Sequence, residues 1–188
     1  MRTFLRSLLL AVLVLAIWGL LGPWLRDAVY AMRLSAMPAP PTLAMPVAGV
    51  RPAALRDTWH AARSEGRRHE GIDIFAKRGT AVRSATEGIV LRVGTNRLGG
   101  QVVWVLGPGG QRHYYAHLDS YSDVAPGMRV EPGRVLGYVG NTGNAKGTPP
   151  HLHYGVYGLG GPLNPYPLLK NPGASRAPAW PDQRGKAR

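Results

Sequence analysis

From Gly71 onward the apolar positions come in short runs broken by turn residues, the pattern of strands rather than helices. Ile72–Phe75, Gly88–Val93, Gln101–Leu106, Arg112–Leu118, Val135–Val139 and Leu152–Tyr157 are the strands it predicts. Gly107-Pro108-Gly109-Gly110 should close a hairpin between two of them. Asn96–Gly100 and residues 141–150 read as loops, and the second leads straight into His151, where it can wall a cleft. Segments spaced this way predict a mainly β domain, a single compact antiparallel sandwich or barrel-like fold. Before it, Trp59–Arg68 is rich in Ala, Arg and Glu and predicts a short helix or an irregular approach.

Both ends depart from this pattern. Arg2 and Arg6 precede an apolar run from Ser7 to Leu25, closed by Arg26-Asp27. A helix over that run is about 28 Å long, close to the hydrocarbon thickness of a bilayer. The basic flank should stay inside and the rest of the chain outside. A transmembrane anchor is favoured on length, with a signal peptide cleaved near Val29-Tyr30-Ala31 as the alternative. Residues 32–50 carry Met37-Pro38-Ala39-Pro40-Pro41 and Met45-Pro46 and read as an extended spacer, able to reach roughly 60 Å as polyproline II. The expected plan is thus 1–31 anchor or signal segment, 32–50 Pro-rich linker, 51–170 the β domain and 171–188 a disordered basic tail.

Composition narrows the chemistry. The 188 residues include no cysteine, which removes disulfides and thiolate metal sites. The formal net charge is +13, divided as +3, +7 and +3 over residues 1–50, 51–170 and 171–188. A basic surface suits polyanions, but no helix-turn-helix, zinc-finger or aromatic RNA-binding motif supports nucleic acid as partner. Anionic cell-envelope polymers account for the same charge, as does a simply solvated surface. Serine hydrolysis has no support either, since no G-x-S-x-G occurs.

What remains is histidine. Four of the six histidines fall in His69-Glu70-Gly71-Ile72-Asp73, Tyr114-Tyr115-Ala116-His117-Leu118 and His151-Leu152-His153-Tyr154. In extended backbone His69 and Asp73 share one face, and so do His151 and His153. Imidazole and carboxylate suit zinc, and three protein ligands plus water make an open, catalytic zinc site. Glu70 would point away from His69, unlike the general base of an H-E-x-x-H enzyme. Arg63 is the best candidate for binding a substrate carboxylate. His113 is placed in a structural role.

The order H-E-G-I-D, Y-A-H-L, H-L-H-Y resembles the lysostaphin/LytM-type zinc metallopeptidases, which cut peptidoglycan peptides. Gly79-Thr80-Ala81-Val82, Gly88-Ile89-Val90 and Val135-Leu136-Gly137-Tyr138-Val139-Gly140-Asn141-Thr142-Gly143 extend the likeness over about residues 63 to 168. The resemblance implies zinc (Zn2+) held by His69, Asp73 and His153, with His117 and His151 as catalytic, non-ligand histidines beside it. It implies a compact antiparallel β peptidase domain acting on peptidoglycan peptides in the cell envelope. That domain would be inner-membrane anchored and face the periplasm or outside, or be secreted to the periplasm after signal cleavage. Gly155 departs from the pattern, standing where many members carry an acidic residue. The rival reading is a non-catalytic envelope binder of the same fold that activates another wall hydrolase; such proteins have typically lost metal ligands.

Overall fold

The computed structural model describes residues 2–63 and 66–171. The expected disordered tail lies outside the described residues, apart from its first position. Helix α1 spans Arg2–Ala36 and stops where Pro38, Pro40 and Pro41 deny the backbone further helix. The strands are β1 (Ile72–Phe75), β2 (Ala81–Arg83), β3 (Gly88–Asn96), β4 (Gly100–Leu106), β5 (Arg112–Tyr121), β6 (Arg129–Val130), β7 (Val135–Val139), β8 (His151–Gly158) and β9 (Gly161–Leu163). A short helix, α2, covers Tyr166–Lys170.

Among the described residues all nine strands join one antiparallel sheet, with the path β1-β8-β5-β4-β3-β6. β7 bridges β2 and β5, and β9 flanks β8. The six expected strands are present, and the short β2, β6 and β9 are added. Period-two alternation sorts the side chains. Ile72, Ile74, Val103, Val105, Tyr115, Leu152, Tyr154 and Val156 all enter one core, while Asp73, His151 and His153 face the other way between them.

Of the two alternatives for Trp59–Arg68, the described residues take the irregular one: the chain folds back on itself through a bridge between Ala62 and Arg68 and a bond from His69 N to Ala61 O of 3.0 Å. More consequentially, residues 32–50 are not a free spacer. Residues 32–36 complete α1, and the segment after it is sewn onto the domain. Leu43 N donates to Leu168 O (2.9 Å), Ala44 N to Ala85 O (3.0 Å), Ala48 N to Ala81 O (3.0 Å), and Arg83 N to Pro46 O (2.8 Å). Leu43 and Val47 are buried in the main core. Proline removes backbone donors, but the apolar residues between the prolines have a core to enter, and burial of each favours docking by about 1.5–3 kcal/mol.

Candidate metal centre and cleft

The site is built on one rung of the sheet. Asp73 of β1 pairs with His153 of β8, which pairs in turn with Ala116 of β5. Their side chains share the face opposite the core. His69 enters just before β1, and Gly71 lets it approach: a Cβ at position 71 would stand 2.5 Å from Tyr154 O and 2.8 Å from His153 Cε1. His69 Nε2 then lies 2.8 Å from His153 Nδ1 and 3.2 Å from Asp73 Oδ1, and His153 Nδ1 lies 3.4 Å from that same oxygen. One donor atom from each of His69, Asp73 and His153 falls within 4.8 Å of the others.

Backbone carbonyls set the histidine tautomers. His69 Nδ1 donates to Thr58 O (2.7 Å), His117 Nδ1 to Thr142 O (2.8 Å), and His151 Nδ1 to Pro149 O (2.9 Å). Each ring is thereby oriented, with Nε2 left as the lone-pair nitrogen. Thr58 contributes twice, because its Oγ1 also accepts from Asp73 N at 3.0 Å. Neither Thr58 nor Thr142 was singled out in the sequence for a role.

His117 reaches this face by breaking the rules of its strand. Tyr114 and Ala116 line the cleft, whereas His113 and Tyr115 are buried on the core side, so strict alternation would send His117 into the core. Instead the β4–β5 register slips between Gln101/Leu118 and Val103/Tyr115, and His117 takes φ 63°. This bulge with a left-handed residue turns His117 to the cleft and returns Leu118 to the core. The conformation is strained for a residue with a side chain and is held by His117 N donating to Gly99 O at 2.7 Å. The His117 ring packs edge-on to His151 (5.0 Å) and His153 (5.8 Å).

The electrostatics follow from burial and proximity. Burial raises the Asp73 carboxyl, but the hydrogen bond from His153 and the close approach of the His69 ring outweigh it and hold the group well below the usual carboxylate range. Burial pushes His117 down to about 4, helped by its charged-state repulsion with His153 and His151. Burial also lowers His153, although Asp73 opposes this. Arg63 comes back over the site from the folded-back segment and pairs with Asp73 Oδ2, leaving Oδ1 to the histidines.

A cleft of about 920 Å³ opens above these residues. Its walls are the β3–β4 turn around Arg97, the loop from Asn144 to Pro149, and the approach segment with Arg63, Arg68 and Glu70. Trp104, Tyr114 and Tyr157 supply an aromatic floor, with ring centroids 4.3 and 5.5 Å apart from Trp104. The turn and the loop are tied together by Asn144 N donating to Leu98 O at 2.9 Å. Glu70 is exposed at the cleft rim, His60 is exposed and stacked on Trp59, and His113 is fully buried in the core; none of the three joins the cluster.

Known proteins share this arrangement of chain. An L-Ala–D-Glu endopeptidase of Bacillus subtilis is 42% identical over 127 residues, covering 61% of this chain and 39% of the relative. This chain thus spans about two fifths of that relative's length. The catalytic domain of lysostaphin from Staphylococcus simulans superposes with a TM-score of 0.56 at 27% identity, over 63% of this chain and 95% of that one. A structure described as a putative glycyl-glycine endopeptidase from Ruminococcus gnavus gives 0.57 at 33% identity, over 69% and 58%. The family model described as Peptidase family M23 matches residues 67–165, over half of the chain, and that stretch holds His69, Asp73, His117, His151 and His153. By that match the chain belongs to peptidase family M23, a family of metallopeptidases.

Proposed function

We propose that this protein is a zinc-dependent endopeptidase that hydrolyses cross-links or stem peptides of bacterial peptidoglycan. The observation that carries the reading is the convergence of His69 Nε2, Asp73 Oδ1 and His153 Nδ1, within 4.8 Å, on the face of the sheet that floors a cleft. Two neutral ring nitrogens and one carboxylate oxygen directed at each other are a donor set for a borderline cation, and the Thr58 carbonyl already holds His69 in the ligand tautomer. These three residues would hold the metal. When bound, zinc supplies Lewis acidity, polarising a peptide carbonyl and making water a usable nucleophile near neutral pH.

The chain's own groups do the rest. His117 and His151 each present Nε2 to the cleft with Nδ1–H committed to a carbonyl. With its pKa pushed to about 4, His117 stays neutral at physiological pH, so Nε2 can accept a proton or a hydrogen bond. Protonated in turn, either Nε2 can stabilise a developing oxyanion or donate to the leaving amine. The aromatic floor receives the peptide, while Arg63 and the exposed Arg68 and Arg97 suit its carboxylates. The basic surface also suits anionic envelope polymers. A non-catalytic binder of the same fold has no need of a complete donor set, and here the set and both neighbouring histidines are retained.

The test is digestion of purified peptidoglycan by the zinc-loaded protein, with fragments identified by mass spectrometry. New amino termini within stem or bridge peptides, abolished by a chelator and restored by zinc, are the expected result. Binding without any new terminus would leave the binder and remove the enzyme.

A further inference from the structure

The first part of α1 and its last turns live in different surroundings. From Phe4 to Leu25 its described large apolar side chains, including Leu8, Val12, Leu15, Trp18 and Leu21, are exposed. The most apolar part of this helix has a mean hydropathy of 2.4 and is almost wholly exposed. Apolar residues lie on every side, so neither a one-sided protein groove nor a coiled-coil partner matches the helix, whereas a lipid bilayer does. At Arg26-Asp27 the composition turns polar, and contact with the domain begins there.

That contact is specific. The Arg129 guanidinium lies 4.3 Å over the Tyr30 ring, 3.5 Å from Asp27 Oδ1 and 3.3 Å from Arg26 O. Leu34 is completely buried. Ser35 and Ala39 lie against the turn Pro108–Gly110, so close that a Cβ on Gly109 would come 2.9 Å from Ala39 Cα. Beyond the helix, residues 43–48 are bonded to the domain at four backbone positions, which leaves no slack for a tether. The Val29-Tyr30-Ala31 motif sits inside α1 with its tyrosine under Arg129, not as the extended segment that a peptidase would need.

We propose that α1 is retained as a bilayer-spanning stalk and that the domain is seated rigidly on its last turns. The cleft then stands at a fixed height and orientation over the lipid surface. The seat does not depend on catalysis; its consequence, restriction of hydrolysis to peptides near the membrane, rests on the hydrolase reading above.

The absence of cysteine makes the test clean. A Cβ on Gly110 would lie 3.7 Å from Ser35 Cβ, inside the disulfide range of about 3.5–4.5 Å. The full-length chain carrying Ser35→Cys and Gly110→Cys, reconstituted into phospholipid vesicles and oxidised, should float with the vesicles and form the intramolecular disulfide in most molecules. Gly110 has φ 65°, where cysteine is strained, so trypsin digestion at Arg33 of the otherwise unaltered vesicle-bound protein is the second readout. Cleavage there should be slow, and Arg129→Ala should speed it roughly tenfold or more, the effect of losing about 1.4 kcal/mol of docking. Vesicle-bound protein with neither cross-link nor trypsin protection would overturn the rigid seat. Soluble protein beginning near Met32 would overturn the retained stalk. Neither readout uses peptide cleavage, so failure of the hydrolase reading is recorded separately by the peptidoglycan digest.

Discussion

The two faces of the central strands treat histidine in opposite ways. On the core side, His113 of β5 is fully buried, its Nδ1 shares a hydrogen bond of 2.7 Å with Tyr154 Oη, and burial pushes its pKa to about 4. Four residues along the same strand, His117 is also pushed to about 4, but it faces a cleft beside His151 and His153. Burial alone therefore does not distinguish a cleft histidine from a core one. The difference is what stands opposite: a tyrosine and apolar side chains for His113, a carboxylate and converging ring nitrogens for the cleft histidines. It is produced by one residue of bulge. Without the register slip at His117, both histidines of β5 would belong to the core.

The contrast can be broken most severely at Asp73. Asp73→Ala removes a carboxylate that three cleft histidines approach, and peptide hydrolysis should fall at least roughly a thousandfold, measured as fragment release, because the Lewis acid goes with it. His117→Ala should lower kcat/KM by about a hundredfold, or about 2.7 kcal/mol in the transition state, with the thermal midpoint little changed. On the core side the expected effect is on stability. The folded state depresses the His113 pKa, so the unfolded chain binds the proton first, and stability present above about pH 6.5 is lost as pH falls towards 4. Between pH 6.5 and 4.5 His113 accounts for about 2 kcal/mol, readable by urea unfolding as the difference from His113→Phe, which should lose that share, keep the like contribution of His117, and spare catalysis near pH 7. Smallest is Arg63→Gln: the guanidinium is partly exposed, so KM for a carboxylate-bearing peptide should rise only severalfold, with kcat nearly unchanged. A collapse of kcat in that variant would move Arg63 from substrate binding into the reaction.

Much of this face was legible before the fold. Alternation put His69 and Asp73 on one face and His151 and His153 on another shared face, and all four line the cleft. What alternation could not show was the bulge, since a left-handed His117 breaks the period on which the reading depends. The carbonyls of Thr58, Thr142 and Pro149 were equally hidden. Every residue carries a carbonyl, so nothing in a sequence marks the one that will orient a distant ring. The proline-rich stretch was misread for a different reason. Its prolines signal only that helix cannot continue there, while Leu43 and Val47 carry the weaker signal that the chain is packed rather than free.

Zinc content measures the division of labour in the cleft most directly. After equilibration with zinc and removal of loose metal by gel filtration, elemental analysis of the unaltered chain should give about one zinc per molecule. Asp73→Ala, His69→Ala and His153→Ala should each fall well below that, while His117→Ala and His151→Ala should stay near one. Full zinc in any of the first three, or loss of zinc with either of the last two, would contradict the account.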